Sequence, residues 1–97
     1  MICKFIIIRK YTDSYLGSSY LNVPFIFPEK INHYGMAQTL LDGNMNEIHS
    51  AGFCKCTDNG FTVWGSGDTI GYGTKYDSAE ILNKWFFNTN QYYSHSS

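Results

Sequence analysis

Ninety-seven residues with 7 Lys and Arg against 8 Asp and Glu, a formal net charge of −1, make one small domain. It has no basic stripe to neutralise a row of phosphates, which excludes duplex DNA or RNA as its partner. Aromatic residues are 18% of the chain against 15% charged, so part of that ring surface needs a cover. A second copy in a homo-oligomer or a ligand would supply it, unless the tyrosines simply line the rim of the core with their hydroxyls in water.

The first stretch, Met1 to Lys10, is β-branched and aromatic and predicts a strand. Its near-continuous apolar run, Ile2 to Ile8, suits a central position covered on both faces. Lys4 interrupts the run, which is far too short to span a bilayer. No small-residue cleavage site follows it, so neither a membrane span nor a signal peptide is expected, and the expected compartment is the cytoplasm. Tyr11 to Asn22, rich in Tyr, Ser and Thr, reads as a long hairpin loop. Val23 to Phe27 is the return strand, pushed towards an edge because Pro24 cannot donate to a ladder.

A helix is predicted from Asn32, its N-cap, to Leu41, with Met36, Ala37, Leu40 and Leu41 on the buried face and a stop at Asp42-Gly43. A second hairpin spans Glu47 to Ser66 around Asp58-Asn59-Gly60. A second helix starts at Asp77, where Asp77 and Glu80 match a capping box, and buries Ala79, Leu82, Trp85 and Phe86. The order ββαββα predicts an α+β fold: a four-stranded, mainly antiparallel sheet with both helices on one face and a second copy covering the other. Residues 1–88 form the domain, and 89–97 read as a frayed polar tail.

Three cysteines, Cys3, Cys54 and Cys56, fit a reducing compartment, and an odd count argues against a disulfide framework. Cys54 and Cys56 read as small buried hydrophobes on one side of a strand. His33, His49 and His95 lack the spacing of a metal site, and no cofactor is expected.

The segment Gly65 to Gly73 carries the chemistry this reading favours. Its four glycines expose backbone N–H groups, and Ser66 and Thr69 add hydroxyls, an arrangement suited to wrapping an anionic group. It departs from a dinucleotide fingerprint at Ile70, and Lys75 falls beyond the place a P-loop requires. The bland alternative is a strand-to-helix connector with unusual dihedrals. Trp64, Tyr72 and Tyr76 are candidates to hold a ring, and Lys75 to pair with charge. The expected ligand-binding set is therefore Trp64, Ser66, Gly67, Thr69, Tyr72, Lys75 and His33. His33 and His49 are also the candidates for general acid or base work, with Asp68 the one suggestive carboxylate. Neither histidine has a local nucleophile, and the chain is not read as an enzyme; a small hydrolase is the least favoured alternative.

The pieces FIFPEKINHYGMA (Phe25 to Ala37), SAGF (Ser50 to Phe53), WGSGDTIG (Trp64 to Gly71) and DSAEIL (Asp77 to Leu82) give a spacing that resembles a group of small bacteriophage and prophage proteins. The long Tyr11 to Asn22 segment departs from that group. The resemblance implies a phage accessory protein acting in the infected cell, either a homo-oligomeric sponge that sequesters a nucleotide-like immune signal or an inhibitor that blocks a host defence protein. A sponge needs rings for bases and backbone N–H groups for phosphates.

Overall fold

The computed structural model describes residues 1–14, 17–41 and 46–87. Strands β1 (Ile2–Ser14) and β2 (Gly17–Pro28) lead to helix α1 (His33–Leu40). Then come β3 (Asn46–Thr57), β4 (Gly60–Trp64) and the two-residue strands β5 (Ser66–Gly67) and β6 (Tyr72–Gly73). Helix α2 (Ser78–Leu82) continues as a π-helical turn, Asn83–Phe87. The first four strands form one antiparallel sheet in the order β2-β1-β3-β4, and β5 and β6 pair as a separate small hairpin. This is the α+β fold with a four-stranded antiparallel sheet and two helices that the residue pattern predicts. The helix stop expected at Asp42-Gly43 and the tail 89–97 lie outside the described residues. No helix among the described residues is long and apolar enough to cross a membrane.

β1 lies in the interior of the sheet because it is apolar on both faces. Phe5, Ile6, Ile7 and Ile8 are all fully buried, and a strand sends successive side chains to opposite faces. Ile6 and Ile8 pack with Phe27, Ala37 and Ala51, against α1. Phe5 and Ile7 pack with Cys54 and Leu82, against α2. The two helices therefore sit on opposite faces of the sheet, not together on one as expected. An interior strand with two greasy sides needs a cover on each, and one short helix covers each, so the sheet does not need a second copy of the chain as its lid.

β2 is an edge, and its prolines show how that edge is managed. The Asn22 carbonyl accepts from Trp85 Nε1 at 3.1 Å, so Asn22 turns its backbone outward, away from β1. In an antiparallel strand the alternate residues do the same. Pro24 and Pro28 share that outward parity, which removes two donors that another strand would need. On the other edge, the Phe61 N–H donates to Asn83 Oδ1 at 2.8 Å. One π-helical turn thus caps a backbone group on each edge strand.

Two boundaries differ from the sequence reading. Tyr11 to Asn22 is mostly strand, since β1 runs to Ser14 and β2 starts at Gly17. Tyr11 and Tyr20 face each other across the pair, 6.1 Å between ring centroids, and such cross-strand aromatic contacts outweigh the turn-forming character of the serines. The β3–β4 turn consists of Asp58 and Asn59, with Gly60 already paired to Thr57 at a φ of +120°.

Among the described glycines, Gly52 has the least room for a side chain. A Cβ there would lie 2.6 Å from the Trp64 carbonyl oxygen and would also meet Thr74 Oγ1. The backbone cannot yield at that oxygen without shifting β4. Gly52→Ala is expected to lower the unfolding free energy by about 1–3 kcal/mol, read from the urea midpoint; an unchanged midpoint would refute the contact.

Candidate functional site

The glycine-rich segment folds inward. The N–H groups of Ile70 and Gly71 both donate to the Gly67 carbonyl at 3.0 Å, and the Thr74 N–H and hydroxyl both donate to Gly65 O, at 3.0 and 2.9 Å. The Ser66 hydroxyl bonds the Asp68 carboxylate, which places negative charge at the hairpin tip. Gly67 is buried, with its Cα against the His33 ring, where a Cβ would come within 2.9 Å of Cγ. The glycine is there for the close approach of a side chain, not of a phosphate. The groove beside the hairpin, about 490 Å³ and lined in part by Tyr34, Gln38, Ile48, Thr69 and Ile70, has no charged side chain in its wall.

The expected site residues separate accordingly. His33 and Gly67 touch, and Phe53 sits between His33 and Trp64, edge-on to the imidazole at 5.8 Å and stacked on the indole at 6.3 Å. Ser66, Thr69 and Tyr72 decorate the hairpin, with Thr69 Oγ1 reaching Asn32 Oδ1 at 3.4 Å. Lys75 lies on the connector to α2, where its backbone N–H donates to Ser78 Oγ. The Ile70, Gly71 and Thr74 amides turn to carbonyls of the same segment rather than outward.

His33 is a packing residue. Only 5% of it is exposed, its ring meets Phe27 edge-on at 5.4 Å, and its Nε2–H donates to the Gly52 carbonyl at 3.0 Å. Burial disfavours the imidazolium and holds the His33 pKa below the ordinary histidine value, outweighing the bond to Gly52.

Among the described residues the other buried polar side chains, His49, Ser50 and Ser78, gather on the α2 face. A β-bulge places them. Ile7 pairs with Ser50 but Ile8 pairs with Ile48, leaving His49 as the extra residue. A bulge re-aims its side chains, and here His49 and Ser50 both reach partners at the start of α2. The Ser78 hydroxyl donates to Ser50 Oγ at 3.0 Å. His49 Nε2 lies 2.9 and 3.1 Å from the two Asp77 carboxylate oxygens, and Nδ1 lies 3.1 Å from Arg9 Nη2. A guanidinium only donates, so Nδ1 is the acceptor and Nε2 carries the proton given to Asp77. Asp77 therefore makes no side-chain cap bond to α2; the expected capping box is replaced by the bond to the imidazole.

Arg9 extends the cluster outward. Its guanidinium stacks over the Tyr20 ring at 4.4 Å, its Nε lies 3.4 Å from Asn22 Oδ1, and Glu47 is 4.0 Å away. Tyr11 donates to the Glu47 carboxylate at 2.6 Å, which raises the Tyr11 pKa above the ordinary phenol value. Next to Tyr20 opens a groove of about 350 Å³ lined by Tyr20, Leu21, Asn22, Ile81, Lys84 and Trp85. The size falls at the lower end of small-molecule sites, roughly 300–1,000 Å³. Tyr20 and Trp85 are 56% and 40% exposed, and among the described residues no carboxylate pairs with Lys84. The arrangement is two flat side chains and an unneutralised cation around an apolar floor. It can hold a planar ligand bearing negative charge. Both His49 nitrogens are engaged, Nδ1 by Arg9 and Nε2 by Asp77. Among the described residues no three His, Cys, Asp or Glu side chains come together as a metal site.

Sequence reading passed over these groups for separate reasons. Tyr20 and Asn22 fell in the segment taken for a loop, and Lys84 and Trp85 in a helix taken to be α throughout. The one available signal was the excess of tyrosine before Asn22.

The state of His33 has a measurable consequence. Its folded pKa is lowered, so the unfolded chain takes up a proton first, and stability contributed by neutral His33 is full above about pH 6.5 and lost as pH falls below it. The stability difference between the protein and a His33→Gln variant is expected to narrow as pH drops through that value; a gap that stays constant would show that His33 is not held neutral. Compared with protein-family models, curated proteins and solved structures, the chain matches none of them, and the functional reading therefore rests on this geometry.

Proposed function

We propose that this chain is a non-catalytic binding protein for a small nucleotide-like anion, and that it takes this ligand in the groove between the end of β2 and the π-helical turn. The observation that carries the reading is the pairing of the exposed Tyr20 and Trp85 side chains with the Lys84 ammonium, which no carboxylate among the described residues neutralises, at one groove. Every nucleobase has a flat face that stacks on such rings, and a phosphate is the complement of the lysine. This reading moves the ligand away from the glycine-rich hairpin, where the Ile70, Gly71 and Thr74 amides are used internally, to the groove on the α2 face of the sheet. In the infected-cell setting implied by the likeness to small phage proteins, the binder sequesters a nucleotide signal and returns it unchanged.

A second reading, a protein that blocks a host defence protein, is favoured by a different surface. Met1, Cys3, Ile26, Cys54, Cys56 and Phe61 line an apolar groove of about 350 Å³ at the end of the α2 face. The two readings make opposite statements about nucleotides.

Titration calorimetry with ADP-ribose and with cyclic di-AMP decides between them. Binding is expected, with intact nucleotide recovered after denaturation. Tyr20→Ala and Lys84→Ala should each weaken affinity about tenfold, the effect of roughly 1–3 kcal/mol per stacked base or paired charge. Tyr72→Ala and Lys75→Ala should bind as the parent does. Absence of heat with every nucleotide would leave the protein-partner reading; loss of binding in Tyr72→Ala alone would return the site to the hairpin.

A further inference from the structure

The two walls of the proposed groove belong to different parts of the fold. Tyr20 comes from the β1–β2 hairpin, whereas Ile81, Lys84 and Trp85 come from α2 and the π-helical turn. Resting on the groove reading, we propose that His49 is a positioning residue that sets these walls relative to each other, through Arg9 on one side and Asp77 on the other.

The chain of contacts is continuous. Arg9 carries Tyr20 on its guanidinium face at 4.4 Å and reaches Asn22, a lining residue of the groove, at 3.4 Å. His49 accepts from Arg9 at 3.1 Å and donates to Asp77 at 2.9 Å. Asp77 is the N-cap residue of α2, and Ile81 and Lys84 follow it by one and two helical turns. The imidazole is 7% exposed, so its two polar atoms have no water to fall back on and hold both partners to a fixed geometry. That Asp77 makes no side-chain cap bond to its own helix assigns its carboxylate to His49. Trp85 Nε1 then closes the circuit by donating to the Asn22 carbonyl at 3.1 Å. The hydrogen-bond partners of His49 among the described residues, Arg9 and Asp77, do not themselves line the groove, and its effect passes through these two groups.

The alternative is that His49 only fills space under the sheet. His49→Gln and His49→Leu separate the two. Glutamine keeps an acceptor for Arg9 and a donor for Asp77, while leucine keeps apolar volume and loses both. The first measurement needs no ligand. In ¹⁵N-labelled protein, the Trp85 indole N–H resonance is expected to move in His49→Leu and to return in His49→Gln, with circular dichroism confirming that each variant is folded. Should His49→Leu fail to fold, Asp77→Ala breaks the same chain at its other end and should move the same resonance. The second measurement uses ADP-ribose: affinity should fall about tenfold in His49→Leu and recover in His49→Gln. In a Tyr20→Ala background, His49→Leu should cost much less, because one of its two routes is already gone. An indole resonance that stays in place in His49→Leu, or that moves equally in both variants, overturns the proposal. If the resonance behaves as expected and ADP-ribose and cyclic di-AMP both fail to bind the parent, the positioning role stands and the nucleotide reading is what fails.

Discussion

Both helices are fastened to the same four residues of β3. At His49 to Gly52 the sheet supplies a polar partner to each face in turn. His33, the first residue of α1, donates to the Gly52 carbonyl on one side. On the other, Asp77 and Ser78 at the start of α2 meet His49 and Ser50. Helices of eight and five residues are unstable by themselves, since nucleation costs more than so few hydrogen bonds return. Their apolar faces are narrow too: α1 buries Ala37 and partly covers Met36 and Leu40, and α2 buries Leu82 with Ile81 beside it. A buried hydrogen bond contributes only about 1 kcal/mol net, but leaving its partners unmade costs about 1–3 kcal/mol. These contacts therefore fix where each helix begins more firmly than its greasy face does. The bulge at His49 lets one strand present both His49 and Ser50 to α2 while Ala51 still faces α1.

Where a residue's signal was local, the sequence carried it. Asn32 caps α1 by accepting from the Tyr34 N–H at 2.6 Å, because a short polar side chain before an apolar stripe has that one good option. Pro24 sent β2 to an edge for want of an N–H. The unbroken apolar run in β1 required two covered faces. What escaped was decided by partners distant in the chain. Tyr11 and Tyr20 are strand residues because they face each other, and each sits in a segment whose composition says loop. Asp77 matches a capping box in sequence, yet His49, 28 residues earlier, takes its carboxylate. Nothing near His49 announces a bulge, since the extra residue is defined only against the register of β1.

The glycine-rich hairpin shows why a motif of small residues is ambiguous. Missing Cβ atoms permit close approach, and the sequence does not say of what. Here Gly67 admits the His33 ring, and Gly52 admits the chain around Trp64 and Thr74. These are the contacts that wrap the β5–β6 hairpin round the edge of the main sheet. A phosphate cradle would have shown the same glycines, with amides pointing outward. The difference lies in where the N–H groups go: those of Ile70, Gly71 and Thr74 are spent inside the hairpin.

The π-helical turn supplies what the hairpin does not. Had the α-helix continued past Leu82, Trp85 and Phe86 would have followed it at the three- and four-residue spacing of a single buried face. In the π-helical turn they go to different strands: Trp85 bonds Asn22 on β2, and the Phe86 ring lies 6.0 Å from Phe61 on β4. The indole is thereby held at a sheet edge, 40% exposed and beside Lys84, rather than sunk in the core. Its N–H bond to the Asn22 carbonyl fixes the ring's orientation at that edge. The His49 imidazole, with Nδ1 on Arg9 and Nε2 on Asp77, ties the strand pair that carries Tyr20 to the start of the helix that leads into this turn.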